Sequence, residues 1–364
     1  MVGEDITSSA LELPPKKARG ATEYSEDELK EIATRVISAT WKGGLPQWSW
    51  GEGVYLLAQI RYHQLNEQEI PRELISWYQR QTDFTLGHIN NVAPGAGAVH
   101  LDKAGLFDAR TMNQALMNWL SAANSATRDV NGTVEHWPGS IWADTCYMLG
   151  TYYLNYAVVN KDVKFLEIIE DQLIAHHLTL QNPETHLMAH GSHRGETIWN
   201  YWGRGNAWMA LSGVEFLDAA EVLAYKSEGV AKIKSSLDKQ LTALCELLPE
   251  YGIWDVLVDG QIENKGVLET SATAGIGAAL VRAARHLPEK KDLFLKTGKK
   301  AAAAALTYVA DSGVLERTSA GTVLQLIPFG YSVIRSDRMQ LWGQGLALNA
   351  ITSLQHEQLN HLGI

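Results

Sequence analysis

Cysteine is scarce in this chain: Cys146 and Cys245 are the only two among 364 residues. Two thiols exclude a disulfide-dense secreted scaffold and a four-cysteine zinc site. Long apolar runs are missing too. None approaches the roughly 20 residues that span a bilayer, and the opening twenty residues lack the apolar core of a signal peptide. The expected location is therefore cytosolic, with no membrane partner. Positive charge is short, 31 Lys and Arg against 41 Asp and Glu, which leaves a net charge of −10. That balance excludes a nucleic-acid backbone as the partner. A small anionic sugar remains possible, because it needs only a few Arg, His and Trp side chains in one place.

Nucleotide and esterase signatures are also lacking. Gly203-Arg-Gly205 and Gly95-Ala-Gly97 each begin a dinucleotide fingerprint, but Trp208 and His100 occupy the third glycine position. No Walker A sequence and no GxSxG elbow occurs. Residues 1–22 read as a mobile tail, and its Lys16-Lys17-Ala18-Arg19 cluster is too short to be more than a solvated patch.

What is present is a repeat. Strand patterns are rare, and most long segments space their apolar residues at the helical period. Amphipathic, charged segments cover Ser25–Ala39, Ile70–Gln81, Ala109–Ala123, Asp162–His177, Val230–Leu248 and Glu289–Ala310. Between them lie segments that open on small residues and then turn almost wholly apolar, as buried helices do. Their opening motifs are Trp50-Gly-Glu-Gly-Val54, Pro94-Gly-Ala-Gly-Ala98, Ile141-Trp-Ala-Asp-Thr145, Trp202-Gly-Arg-Gly-Asn206, Glu269-Thr-Ser-Ala-Thr273 and Trp342-Gly-Gln-Gly-Leu346. Six hairpins, each an exposed helix followed by a buried one, bury all their apolar faces only if they close a ring. The expected fold is all-α, an (α/α)6 barrel, with residues 23–364 as one domain. All six motifs then lie at one end of the ring, where helix N-termini favour an anion.

Asp144 leads the candidates for chemistry. Beside Trp142, and near His136 and Trp137 in sequence, a buried carboxyl has its pKa raised by desolvation, while a helix dipole pulls the other way. The competing structural reading is an Asp at a helix N-cap or in a first helical turn. His186, His190 and His193 stand at metal-like spacing, but Pro183 and Gly191 mark a loop and point to sugar contact instead of zinc. In Tyr201–Trp208, Trp202 offers a plate for a sugar ring and Arg204 a bidentate clamp for a carboxylate; the alternative for Arg204 is a structural salt bridge. Cys146 reads as a small packed hydrophobe.

Four of these motifs, Ile141–Met148, Trp202–Trp208, Glu269–Ala274 and Trp342–Gly345, resemble in order the signatures of glycoside hydrolase family 105, the unsaturated rhamnogalacturonyl hydrolases. The related family 88 shares the plan. The resemblance runs from about residue 30 to 355. It implies an (α/α)6 barrel and metal-independent, cofactor-free hydration of a 4,5-unsaturated uronic acid at the non-reducing end of an oligosaccharide. By position it implies that Asp144 is the acid, that Trp202, Arg204, His190 and His136 hold the uronate, and that Trp142 walls the pocket, with Trp50 a further contact. Family members commonly carry a second Asp immediately before a His-Ile-Asn-type segment. Here Gly87 takes that place, and His88 or Asn91 is left to position water or substrate. Two other functions stay open on this fold: a sugar epimerase using His190 and His193, and a sugar-binding protein without turnover.

Overall fold

The structure is a computed structural model and describes residues 20, 22–84, 86–122 and 125–362. Apart from Gly20 and Thr22, the expected tail lies outside the described residues. Helices alternate along the chain between a charged, half-exposed kind and an apolar, buried kind. The exposed set is α1 (Glu26–Gly43), α3 (Arg72–Gln79), α5 (Arg110–Ser121), α7 (Val163–Leu180), α9 (Glu228–Leu247) and α11 (Lys291–Leu306). The buried set is α2 (Trp50–Leu65), α4 (Pro94–Lys103), α6 (Ala143–Asn160), α8 (Gly203–Val222), α10 (Thr270–Ala283) and α13 (Leu341–Leu362), with the short α12 (Phe329–Ser332) before the last. Every expected segment falls on one helix, and the buried helices begin within two residues of their motifs.

The buried helices pack in sequence, α2 on α4, α4 on α6, α6 on α8, α8 on α10, α10 on α13, and α13 returns onto α2. That return closes the ring and gives the (α/α)6 barrel. Small residues set the spacing between neighbours. A Cβ on Gly53 would lie 2.5 Å from the Pro94 nitrogen, and one on Gly345 would lie 2.9 Å from the Val54 carbonyl, so neither position tolerates a side chain. The only paired strands among the described residues form a hairpin, β1 (Gly191–His193) with β2 (Glu196–Ile198), just before α8.

A spacing of eleven residues shows which face of each buried helix meets the barrel axis. Arg61, Asn155, Glu215, Arg282 and Ser353 line one cavity of about 590 Å³ at the C-terminal ends of five buried helices. Eleven residues earlier stand Trp50, Asp144, Arg204, Ser271 and Trp342. Eleven residues make almost exactly three turns and about 16 Å of rise, so both sets share a face. Since five helices aim the later set into one cavity, that face is the axis. The two ends of the axis differ in character. At the far end Arg61 grips Glu215 with both terminal nitrogens at 2.6 and 2.7 Å, and Arg282 bridges Glu215 and Asp218 at 2.7 and 2.6 Å. Those charges neutralise one another. Between the ends the axis is plugged by packed rings, Tyr147 stacking on Trp208 at 4.7 Å.

Candidate active site

Asp144 is the second residue of α6, whose N-cap is Trp142, and it makes no cap bond. The N-cap explanation of this carboxyl therefore falls away, while its place in the first turn of the helix is as the structural reading expects. Its Oδ2 is buried and unpartnered, facing His190 Nε2 at 3.5 Å, and that nitrogen is likewise without a partner. At that distance the contact is an electrostatic one, longer than a formed hydrogen bond.

The loops ahead of α6 and α8 build the walls. His136 stacks flat on Trp142 at 4.0 Å and 9°, and its Nδ1 lies 2.8 Å from the hydroxyl of Thr145, the residue after Asp144. His190 sits between Trp142 at 5.1 Å and Trp202 at 4.2 Å. The isolated bridge between Trp142 and Gly191 pins its loop to the start of α6. His88 caps a 3-10 turn, Ile89–Val92, and turns its ring against His136 at 4.5 Å and Trp137 at 4.3 Å. Together these residues leave six buried polar atoms unsatisfied: His88 Nε2, Trp142 Nε1, Asp144 Oδ2, His190 Nε2, Trp202 Nε1 and Arg204 Nε. Each costs about 1–3 kcal/mol if nothing meets it, and a ligand able to accept and donate hydrogen bonds would recover that cost.

Several expected roles change in three dimensions. Trp202 is fully buried, with His190 at 4.2 Å and the Arg204 guanidinium 4.4 Å from its ring centre, so it has no free face for a sugar. The free aromatic face belongs to Trp137, which is 51% exposed beside His88. Arg204 is not a free clamp either. Its Nη1 donates to Glu269 Oε1 at 3.0 Å and Ser319 Oγ at 2.7 Å, and its Nη2 donates to the Ala320 carbonyl at 2.9 Å. Only Nε remains for a ligand, so the arrangement combines the structural salt bridge with a single outward donor. Asn91 accepts from the Trp50 backbone at 3.3 Å and donates to the Leu86 carbonyl at 2.7 Å, which makes it a tie between loops. Trp50 stacks on Trp342 at 4.4 Å. Gly87 has φ +62, with open space where a Cβ would be. His186, His190 and His193 part company, since His190 is buried and His193 ends an exposed hairpin, and among the described residues no group of three or more such side chains could hold a metal.

Glu269, whose sequence motif showed no partner, proves to be the counter-ion of Arg204. It also caps α10 by accepting from the Ala272 nitrogen and takes Ser319 N–H at 2.8 Å. Both members of the pair are buried. Glu269→Gln is expected to destabilise the fold by about 3–5 kcal/mol, because it leaves a buried cation uncompensated. Urea denaturation reads this directly, and an unchanged midpoint would mean that Ser319 and the carbonyls satisfy Arg204 without the charge.

The sequence profile of Glycosyl Hydrolase Family 88 matches residues 26–357, from the start of α1 into the last turns of α13. The chain belongs to that family.

Among its relatives is the unsaturated rhamnogalacturonyl hydrolase YesR of Bacillus subtilis strain 168, 29% identical over 345 residues, covering 91% of this chain and 96% of that one. Two solved structures share the fold. One is a possible member of the GH105 family from Salmonella enterica, at 22% identity and TM-score 0.76, covering 94% and 97% of the two chains. The other is the unsaturated glucuronyl hydrolase of Bacillus sp. GL1, at 16% identity and TM-score 0.67, covering 92% and 97%. Membership of family 88 makes the chain a glycosidase, and its barrel places Asp144 on the axis at the mouth where the loops converge.

Electrostatics at that mouth centre on Asp144 and three neutral rings. Burial pushes His136 down to about 3, against an opposing pull from Asp144. Burial likewise lowers His88 and His190. For Asp144 burial is the largest single effect and raises its pKa, but His190, then His136 and Arg204, outweigh it and hold the carboxyl below its ordinary value. The imidazole share of that pull exists only while the rings are charged. At neutral pH, with the rings uncharged, Arg204 and the polarity of the His190 ring 3.5 Å away oppose burial. A bound anion would change the protonation of Asp144, because added negative charge and lost water both raise a carboxyl's pKa. Cys146, next but one after it, is buried and pushed up to about 12, so its thiol stays protonated and inert.

Proposed function

We propose that this family 88 glycosidase removes a 4,5-unsaturated uronic acid from the non-reducing end of an oligosaccharide, with Asp144 as general acid. The observation that carries the reading is the set of unsatisfied buried polar atoms from His88, Trp142, His190, Trp202 and Arg204 gathered around an axial carboxyl. The activity named for YesR supports it further, as does the name of the glucuronyl enzyme, responsible for the degradation of glycosaminoglycan.

In this mechanism protonated Asp144 gives its proton to C4 of the enol ether. The positive charge that develops at C5 is shared with the ring oxygen. Water adds at C5 and returns a proton to the Asp144 carboxylate. The resulting C5 hemiketal collapses to a ketone as its bond to the ring oxygen breaks, and that oxygen takes the proton. C1, now a hemiacetal, becomes an aldehyde as the remaining sugar leaves with a proton. No bond to the anomeric carbon is attacked, so the carboxylate-separation rule for retaining and inverting enzymes does not apply. One acid that leaves and recovers its proton is enough for this sequence, which accommodates a glycine at position 87. Trp137, with its open face beside His88, is the surface suited to stack the next sugar.

The test follows ultraviolet absorbance of the conjugated double bond while the protein acts on unsaturated rhamnogalacturonyl and glucuronyl disaccharides. Loss of absorbance with release of free sugar is expected on at least one of them. Binding without any loss of absorbance would overturn the hydrolytic reading and favour a sugar-binding protein. The epimerase alternative has less to stand on, because His193 is exposed at the end of β1 while His190 is buried.

A further inference from the structure

His190 has two ring nitrogens with different neighbours, and the distribution of its proton follows from the donors around it. Its Nδ1 lies 2.7 Å from the hydroxyl of Tyr331, a fully buried residue of α12 that is 141 positions away in the chain. The same phenol oxygen lies 3.3 Å from the Gln325 backbone nitrogen. A backbone N–H can only donate, so that contact uses a lone pair of the phenol and not its proton. Among the described residues those are the two hydrogen-bond contacts of the Tyr331 hydroxyl. Its proton therefore has one acceptor available, His190 Nδ1. With Nδ1 accepting, a neutral His190 carries its hydrogen on Nε2, which faces Asp144 Oδ2 at 3.5 Å.

We propose that Tyr331 is a positioning residue that fixes His190 as the Nε2–H tautomer and so aims a hydrogen-bond donor at Asp144. This rests on Asp144 being the acid. The donor stabilises the carboxylate that forms as Asp144 gives its proton to the substrate, so its contribution grows along the reaction coordinate. No proton moves along the chain of residues, because the phenol keeps its own throughout. The segment that carries Tyr331 is anchored for this task. Asn200 donates to the Gln325 carbonyl at 2.8 Å, Asn264 to the Pro328 carbonyl at 3.2 Å, and Ser332 to the Glu263 carbonyl at 2.6 Å. Two loops, that of Asn200 and that of Glu263 and Asn264, thereby hold the segment of this one hydroxyl in place.

The charged and titratable groups facing the Asp144–His190 pair are His136 from the loop before α6, His88 from the 3-10 turn, Arg204 from α8 with its partner Glu269, and Tyr331 itself. Of these, only Tyr331 touches Nδ1.

Nitrogen-15 spectra of the histidine rings test the tautomer without any substrate, with His190 assigned from the signals lost in His190→Gln. In the unaltered protein the expected pattern is protonated Nε2 and bare Nδ1. Tyr331→Phe is expected to move the ring toward the other tautomer. It should also lower kcat about 10- to 100-fold with KM within about twofold, and shift the alkaline limb of kcat upward, because Asp144 loses a donor that favours its ionised form. Protonated Nδ1 in the unaltered protein would overturn the proposal, and that reading stands even if Tyr331→Phe fails to fold. An unchanged tautomer in Tyr331→Phe would also overturn it, as would a changed tautomer with an unmoved alkaline limb. Should no unsaturated sugar be turned over at all, the spectra still decide the tautomer, and the failure then belongs to the substrate assignment.

Discussion

Asp144→Asn is expected to lower turnover of an unsaturated uronyl disaccharide about a thousandfold, within the 10²- to 10⁴-fold that a positioned general acid contributes. The amide is nearly isosteric with the carboxyl and cannot give a proton to carbon. Its effect should fall on kcat, since the atoms that hold the sugar, from Trp142, His190 and Arg204, remain where they are. Folding should change little. Burial of the charge opposes the gain from His190, His136 and Arg204, so exchanging the carboxylate for a neutral amide removes terms of both signs. The measurement is initial rate against substrate concentration, paired with a thermal melt. A variant that keeps more than a tenth of the unaltered rate while melting normally would remove Asp144 from the acid role. Attention would then pass to the rings of His136 and His190.

Acidification is expected to unfold this protein well above the range in which its carboxylates titrate. Besides His88 and His190, four histidines are kept neutral, His136, His176 and His177 buried and His100 half-buried. Burial, helped by Arg61, pushes His100 down to about 4; burial alone accounts for most of the shift of His136 to about 3 and His176 to about 4; burial and then His176 take His177 to about 3. In the unfolded chain each returns to about 6.5. The sign follows from proton counts. Above pH 6.5 neither state binds these protons, and stability is complete. Between 6.5 and about 4 the unfolded chain binds protons that the fold refuses, so stability falls as pH falls. At pH 5 each histidine costs about 2 kcal/mol.

One group works in the opposite direction. Glu52 is raised to about 7 by burial, so the fold takes up its proton first and regains about 2 kcal/mol over the same interval. The net loss of about 6 kcal/mol at pH 5 compares with a total stability of about 5–15 kcal/mol for a typical domain. Below about pH 4.5 the loss steepens, because the unfolded chain then protonates Glu215 while the fold, where Arg282 and Arg61 hold it near 2 against its burial, keeps it ionised. Thermal melts at pH 7.5, 6 and 5 should show a steep fall in Tm across the two lower values. A Tm level to pH 5 would mean that water reaches these rings on protonation.

The helical plan was written in local pattern. A helix that must face water on one side alternates its polarity at the 3.6-residue period, as α1, α5 and α9 do, and one surrounded by protein loses that alternation, as α6 and α8 do. Each repeat also announces its start, because close packing of neighbouring buried helices admits only glycine at positions such as 53 and 345. Ring closure followed from arithmetic alone, since an open row of hairpins leaves apolar faces uncovered. Asp144, His136, His190 and Arg204 were legible for the same reason: each stands in or beside a motif, and motifs at equivalent helix ends converge on the axis.

What the motifs could not convey was what each polar group spends its bonds on. Arg204 looks free in Trp202–Trp208, yet Glu269, Ser319 and Ala320 occupy both of its terminal nitrogens from 65, 115 and 116 residues away. Trp202 looks like a plate, yet His190 and Arg204 cover it, while exposed Trp137 carries no motif to mark it out. Tyr331 had no local signal at all, since α12 gains its meaning only by reaching across the mouth to His190. Periodicity and steric exclusion act over a few residues and are read directly from the chain. Hydrogen-bond partnership acts over a few ångströms of space, and for this protein only the closed ring decided which residues share them.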